Sequence, residues 1–76
     1  ELETKKDYAT LTPREKEVCF WLVKGLLNKD IAIKLGTTDA TIKVHKARVM
    51  EKMKVESLQT LVAKYLGSNL DNMQNN

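Results

Sequence analysis

Five basic residues lie close together in one part of this 76-residue chain. Residues 41–54 contain five cations and a single acid, Glu51, so the segment carries a net charge of +4 while the whole chain carries +3. The remainder of the chain is therefore close to neutral. Lysine and arginine concentrated on one short segment favour contacts with phosphate groups. The basic residues are Lys43, Lys46, Arg48, Lys52 and Lys54.

The same segment predicts two exposed apolar side chains. If it is helical, Ile42, Val49 and Met53 share one face and are expected to be buried. Val44 and Ala47 then face outward among the basic residues. A lone exposed valine has little meaning on an ordinary surface. On a helix that enters the major groove of DNA, however, such side chains can contact thymine methyl groups while nearby cations reach guanine edges or phosphates.

Other reactive residue types are scarce. The chain has one histidine, His45, and one cysteine, Cys19, whereas a structural zinc site normally takes four such ligands. We expect Cys19 in the core and a structural or phosphate-contacting role for His45. The sequence shows no acid/base pair, nucleophile constellation or phosphate-binding loop, so an enzyme is the least favoured class and no cofactor or metal is expected.

Composition predicts one small globular domain. Apolar residues make up 42% of the chain and charged residues 30%, which is ordinary for a folded protein. No apolar run approaches the roughly 20 residues that span a bilayer, and no signal peptide is apparent. We therefore expect a cytoplasmic protein with no membrane contact. Because the chain begins at Glu1 rather than methionine, we expect it to be a fragment or a processed product.

Capping residues and apolar periodicity predict four short helices in an all-α domain. The first, about 13 to 24, begins at a capping box formed by Thr12 and Glu15. The second, about 29 to 35, is expected to have Asn28 as its N-cap. The predicted core residues of these two helices are Val18, Cys19, Leu22, Val23, Leu26, Ile31, Ala32 and Leu35.

A turn at 36–38 separates the second helix from the third. Thr38 is the predicted N-cap of the third helix, about 39 to 53, and Ser57 that of the fourth, about 58 to 66. Two short helices joined by a three-residue turn with glycine are typical of a helix-turn-helix. The predicted core residues here are Ile42, Val49, Met50, Met53, Leu58, Leu61, Val62, Tyr65 and Leu66.

The two ends of the chain lack helical periodicity. We predict a linker or N-terminal arm over residues 1–10, which are mostly charged or polar. Residues 67–76 are rich in asparagine and glutamine and are predicted to be a C-terminal tail. The folded domain is therefore expected over residues 11–66.

Three stretches together resemble the LuxR-type DNA-binding domain, in particular the FixJ/NarL branch found at the C-terminus of bacterial response regulators. They are LTPREKEV, KGLLNKDIAIKL and ATIKVHKARVMEKMKVESLQTLV. The resemblance implies a four-helix helix-turn-helix domain that binds specific double-stranded DNA sites and controls transcription in a two-component system. In that family the third of these helices lies in the major groove and the second crosses above it.

Carried over residue by residue, the resemblance also implies a set of contacts. Ala47 stands where some relatives carry a basic or polar residue, so its contact would be apolar. The base contacts are expected from Lys43, Val44 and Ala47. The contacts to the DNA backbone are expected from Asn28, Lys29, Thr41, His45, Lys46 and Arg48. The fourth helix commonly forms the dimer contact in the family, which here leaves its outward flank, Gln59, Thr60 and Ala63, with Leu66 at the border.

The resemblance further implies the partners of the domain. A phosphorylatable receiver domain would precede it, joined near residues 1–10, and a homodimer would bind two half-sites about one helical turn apart. RNA polymerase is left open as a further partner. The alternative is a small helical protein-interaction module whose basic helix binds an acidic protein surface. Dependence of duplex binding on salt separates the two.

Overall fold

The computed structural model describes residues 2–70, with the side chains of residues 3–70, and this part of the chain forms five helices without strands. The predicted all-α class is confirmed, but the predicted number of four helices is wrong. No helix in the described part is long and apolar enough to cross a membrane. The helices are α1 (Leu2–Ala9), α2 (Pro13–Val23), α3 (Asn28–Leu35), α4 (Asp39–Lys52) and α5 (Leu58–Gly67).

Helix α2 begins at the predicted capping box. The amide of Glu15 donates to the Thr12 hydroxyl at 3.1 Å, and the amide of Thr12 donates to the Glu15 carboxylate at 3.0 Å. Both bonds satisfy amides that a helix start leaves without a partner. Pro13 occupies the first helical position, where its missing N–H costs nothing.

The helix-turn-helix consists of α3, a turn at residues 36–38, and α4. Gly36 ends α3 with a φ of +68°, a left-handed conformation that favours glycine. Thr38 then caps α4 as predicted, since its hydroxyl accepts from the Thr41 amide at 3.2 Å. The predicted cap of α3 is wrong: Asn28 is already helical, because the Leu27 carbonyl accepts from the amides of Asp30 and Ile31 at 3.0 Å.

The core lies where α4 packs against α2 and α3, with α5 closing it from the side of α2. Most predicted core residues are buried or partly buried, as expected from their helical spacing. Leu66 is the exception, because 57% of it is exposed on α5. The fully or almost fully buried apolar residues of the four predicted helices are Val18, Cys19, Leu22, Ile31, Ala32, Ile42, Val49, Met53, Leu61 and Tyr65.

The N-terminal segment is not the unpacked arm that we predicted. Residues 2–9 form α1, and Tyr8 at its end is buried edge-to-face against Tyr65 of α5, with ring centroids 6.1 Å apart. The segment has too few apolar side chains to show a helical period. It is helical because its one large aromatic residue packs against the rest of the domain, and tertiary packing of this kind overrides weak local propensity.

The start of the predicted tail also belongs to the folded domain. Gly67 is the last residue of α5, and Asn69 follows in the left-handed region with a φ of +58°. This turn returns Leu70 to the core, where it is fully buried. The prediction of an unpacked tail is therefore wrong for residues 67–70, and residues 71–76 lie outside the described part of the chain.

Candidate nucleic-acid interface

The outer face of α4 carries an apolar strip. Val44 is 52% exposed and Ala47 is also exposed, while Ile42 and Val49 on the opposite side of the helix are fully buried. The predicted exposure of Val44 and Ala47 is thus confirmed. The strip is held outward by the burial of the other side, because rotating the helix would expose two β-branched core residues.

Basic and polar residues flank this strip on both sides. At 100° per residue, Lys43 and Lys46 fall on one side of the strip, and Thr41, His45 and Arg48 fall on the other. Lys43, Thr41 and Arg48 are exposed, whereas His45 and Lys46 are half-buried. An apolar strip between two rows of cations and hydroxyls can enter a groove with an anionic wall on either side.

The cations beside the strip are not neutralised by ion pairs within residues 3–70. Lys46 and Arg48 have no carboxylate within ion-pair distance there. Lys43 has Asp39 one turn earlier, but its Nζ lies 4.0 Å from the carboxylate and both side chains are more than half exposed. An exposed pair of this length contributes little. Three cations are therefore available to an anionic ligand.

The two lysines at the other end of the segment have a different role. Lys52 donates to the Glu15 carboxylate at 2.8 Å and to the Thr10 carbonyl at 3.3 Å. Glu15 is only 3% exposed, so this pair ties the end of α4 to the start of α2 inside the domain. The net charge of residues 41–54 consequently overstates the charge that is free to bind phosphate.

The environment of Glu15 keeps its carboxylate ionised. Burial raises the pKa of Glu15, but the hydrogen bonds from Lys52 and the Thr12 amide, with the positive charges of Lys52 and Arg48, outweigh burial and hold the pKa below its usual value. Arg48 thus lies close enough to Glu15 to act on it without forming an ion pair. The buried carboxylate remains charged and needs Lys52 as its partner.

Lys54 holds the turn after α4 to α1. Its Nζ lies 3.3 Å from Glu3 and 3.6 Å from Asp7, and its backbone φ of +59° turns the chain away from α4. The hydrogen bond that Lys54 donates to Glu3, followed by the charges of Asp7 and Glu3, raises the pKa of Lys54 above its usual value. Because α1 was not predicted, the partners of Lys54 could not be predicted either.

The start of α3 brings three of the predicted backbone-contacting residues together. Asn28 and Lys29 of α3 line a shallow depression with Lys46 and Asp39 of α4. The amides at the start of a helix carry partial positive charge and attract phosphate. Leucine side chains from α2, the loop after it and α5 form the apolar part of the depression: Leu22, Leu26, Leu27 and Leu58.

Thr41 and His45 are less available for a phosphate contact than the sequence suggested. The Thr41 hydroxyl is 2.9 Å from that of Thr38 in the cap of α4. The Nδ1 atom of His45 is buried and has no hydrogen-bond partner among the described residues. Both residues lie on the same flank of α4 as Arg48. Their predicted contact with phosphate remains a prediction.

The predicted dimer residues lie on the outer side of α5. Gln59, Thr60 and Ala63 are all exposed, although the Thr60 hydroxyl is 2.9 Å from that of Ser57 in the helix cap. A small apolar depression lined by Leu58, Gln59 and Val62 lies on the same helix. The exposed Leu66, which we expected in the core, extends this apolar surface by about one turn beyond Val62.

Reactive groups outside this face are few. Cys19 is fully buried, and burial raises the pKa of its thiol to about 12, so it stays protonated at neutral pH. Within residues 2–70, no three histidine, cysteine, aspartate or glutamate side chains come close enough together to hold a metal ion. The conspicuous chemistry of the described chain is therefore the basic and apolar face of α4.

A helix-turn-helix whose second helix exposes an apolar strip between basic flanks defines a DNA-binding domain. Residues 9–65 match the family described as bacterial regulatory proteins, luxR family. The chain belongs to the luxR family of bacterial regulatory proteins, and its helix-turn-helix is a DNA-binding domain. The family is not enzymatic, which agrees with the absence of a catalytic constellation from the sequence.

Proteins similar to this chain are described as response regulators or transcriptional regulatory proteins. The response regulator protein TodT of Pseudomonas putida is 45% identical over 60 residues, which cover 79% of this chain and 26% of TodT. The transcriptional regulatory protein FixJ of Azorhizobium caulinodans is 48% identical over 60 residues, 79% of this chain and 28% of FixJ. A low-resolution structure of the response regulator StyR superposes with a TM-score of 0.82 at 38% identity, covering 84% of this chain and 32% of StyR. The chain thus spans about a quarter to a third of the length of these relatives.

Proposed function

We propose that this domain binds specific double-stranded DNA sites through α4, as the output domain of a two-component response regulator that controls transcription. The observation that supports this most directly is the outer face of α4. There Val44 and Ala47 are exposed between Lys43 and Arg48, and the cations have no strong internal partner. No folding requirement explains this combination.

In the proposed complex α4 lies in the major groove with its apolar strip against the bases. The Lys43 ammonium donates to guanine O6 and N7, and the methyl groups of Val44 contact a thymine methyl. Ala47 is small enough to let the helix approach the base edges closely. It adds an apolar contact but no hydrogen bond.

The flanks of the helix bind the two sugar-phosphate backbones. Thr41, His45 and Arg48 face one strand. Lys46 faces the other together with Asn28 and Lys29 at the start of α3, where helix amides add their positive potential. These contacts fix the position of the helix along the groove and are largely independent of sequence.

We further propose that two copies bind adjacent half-sites through Gln59, Thr60 and Ala63 of α5. In the complete protein a receiver domain would precede this domain, as is usual for response regulators, and phosphorylation of the receiver would make the α5 surface available. Contact with RNA polymerase and a cytoplasmic location belong to the same proposal. The exposed Leu66 and the apolar depression on α5 support a protein contact on this helix.

A salt series tests DNA binding against the rival, binding of an acidic protein surface. We expect the logarithm of the duplex affinity, measured by fluorescence anisotropy, to fall by about 0.9 per phosphate contact per log unit of salt. Arg48→Gln should reduce that slope by about 1. Lys24→Gln is the matched control, because Lys24 lies over the Phe20 ring on α2 rather than on α4. A duplex affinity that does not depend on salt would reject DNA binding.

Selection from random duplexes tests whether binding is site-specific. We expect a short motif containing a G·C pair for Lys43 and a T·A pair for Val44, repeated about one helical turn away if the domain binds as a dimer. Equal recovery of all sequences would reject site-specific binding, and a single unrepeated motif would reject the dimer.

A further inference from the structure

Asp39 is the one acidic residue among residues 39–50, the part of α4 that carries the apolar strip and its basic flanks. It occupies the first position of the helix. In helix-turn-helix proteins the N-terminal residues of this helix approach the base edges most closely. Asp39 thus places a carboxylate where the binding of phosphate alone would favour a neutral or basic residue.

The carboxylate of Asp39 forms no strong interaction within the described part of the folded domain. Its side chain is 51% exposed, and its ion-pair partner within residues 3–70 is Lys43, whose Nζ lies 4.0 Å away. An exposed pair of this length is easily opened by solvent or ligand. The two side chains follow each other at i and i+4, so they present an acceptor and a donor side by side on one flank of α4.

This arrangement complements the major-groove edge of a G·C pair. Guanine offers two neighbouring acceptors, N7 and O6, to an ammonium group, and the paired cytosine offers its N4 amino group to a carboxylate. In an A·T pair, adenine offers one acceptor, N7, beside its amino donor, and thymine presents an acceptor, O4, where cytosine has its amino group. A carboxylate next to Lys43 should therefore favour G·C over A·T at one position.

We propose that Asp39 is a specificity-determining residue, whose carboxylate accepts a hydrogen bond from cytosine N4 in the base pair whose guanine Lys43 contacts. The inference rests on the proposed function, that α4 binds in the major groove. Where the base at that position offers no amino group in the major groove, the carboxylate stays unpaired near phosphates and weakens binding. Asp39 thereby lowers affinity for unrelated DNA while it sharpens selection of the preferred site.

The test compares Asp39→Asn with wild-type protein on three duplexes: the selected site, the same site with this G·C pair changed to A·T, and an unrelated sequence. Wild-type protein should prefer G·C about tenfold. Asp39→Asn should reduce that preference to twofold or less and bind the unrelated duplex more tightly. Asp39→Glu, which keeps the carboxylate, should retain the preference. Thr38 still caps α4 in both variants, and thermal melting checks that they are folded.

Glu51→Gln is the matched control, because it also removes one negative charge from α4 but lies more than three turns away. It should leave the G·C preference intact. If Glu51→Gln removed the preference as well, general charge rather than base recognition would explain the effect and the proposal would fail. Retention of the preference by Asp39→Asn would overturn it equally.

A second measurement uses wild-type protein alone and does not depend on how the variants fold. The cytosine of the selected pair is replaced by N4-methylcytosine, which keeps its hydrogen bond to guanine but places a methyl group on the major-groove side of the amino nitrogen. We expect about tenfold weaker binding. Equal affinity for both duplexes would overturn the role of Asp39 and leave the proposed function in place. Absence of any preferred duplex for wild-type protein would reject both proposals.

Discussion

The two ends of the basic segment use the same residue type for opposite purposes. Lys43, Lys46 and Arg48 lie beside the apolar strip of α4 without a strong internal partner. Lys52 is bound to the buried Glu15, and Lys54 to two acids of α1. Both groups consist of cations, but only the first is available to a ligand.

The difference shows what decides the role of a surface lysine. Glu15 cannot reach water, so its charge must be balanced within the domain, and Lys52 is the residue that does so. The carboxylate next to Lys43 is exposed and is stabilised by solvent without it. For Lys52 and Lys43, the burial of the acid rather than the position of the lysine along the helix therefore separates an anchoring cation from one that a ligand can reach.

The largest loss of stability is expected from breaking the pair between Lys52 and the buried Glu15. Lys52→Met should lower the free energy of unfolding by roughly 2–3 kcal/mol, somewhat less than for a fully buried pair because Lys52 is partly exposed. Urea denaturation measures the change. Lys43→Met, the same substitution at the other end, should stay within about 0.5 kcal/mol of wild type. Similar losses for both variants would break the distinction between the two ends.

For DNA binding, we expect the lysine at the start of the segment to matter more than the lysines at its end. Lys43→Ala should weaken binding to the preferred duplex by about 1–3 kcal/mol because it removes a base contact. Lys54→Ala should bind as wild type does, since Lys54 faces α1. Anisotropy titrations at fixed salt measure both. Uniform weakening on every duplex would instead assign Lys43 to a phosphate, and a comparable loss for Lys54→Ala would show that its charge also reaches the DNA.

A smaller effect is expected from neutralising the buried acid. Glu15→Gln should lower stability at pH 7 by about 1 kcal/mol, because a charge-assisted hydrogen bond becomes a neutral one. The pKa of Glu15 is lowered from 4.5 in the folded state, so its contribution is complete above pH 4.5 and is lost as the pH falls through the folded value.

Urea denaturation between pH 7 and pH 3 follows this loss. The curves of wild type and Glu15→Gln should converge on acidification, whereas Glu51→Gln, at an exposed acid of α4, should stay within about 0.5 kcal/mol of wild type at pH 7. A constant gap between wild type and Glu15→Gln at all pH values would contradict the ionised, paired carboxylate.

The smallest change in stability is expected at the apolar strip. Val44→Ser should leave the free energy of unfolding within about 0.5 kcal/mol of wild type, because the side chain is half exposed. Its effect should appear in specificity, as a lost preference for T·A at one position in selection from random duplexes. Ala9→Ser, exposed at the end of α1 rather than on α4, is the control. An unchanged selection profile for Val44→Ser would remove Val44 from the base-contacting surface.

The helix-turn-helix could be predicted from sequence because its signals are local. The caps at Thr12 and Thr38 join residues three positions apart, and the inward and outward faces of α4 follow from helical spacing alone. The exposure of Val44 and Ala47 was therefore accessible from the sequence. The bases or phosphates that these residues contact could not be predicted, because those contacts depend on the geometry of a complex.

The features that sequence reasoning missed are long-range. Lys52 and Glu15 are 37 residues apart, and Lys54 and Glu3 are 51 apart. Tyr8 is buried by Tyr65, from the opposite end of the domain. No periodic pattern marks such contacts, so the sequence predicts neither α1 nor the ion pairs that hold Lys52 and Lys54. Leu70 was missed for the same reason, because a single apolar residue after a turn has no period.

Because Cys19 is buried, the rate at which its thiol reacts measures how often the core opens. The chain has one cysteine, it is fully buried, and its thiol is protonated at neutral pH. An alkylating reagent can therefore modify it only during excursions in which the core separates. A ligand that binds the closed domain slows modification in proportion to its occupancy. Affinity for DNA can thus be measured as a chemical rate at the centre of the core, without a label on either molecule.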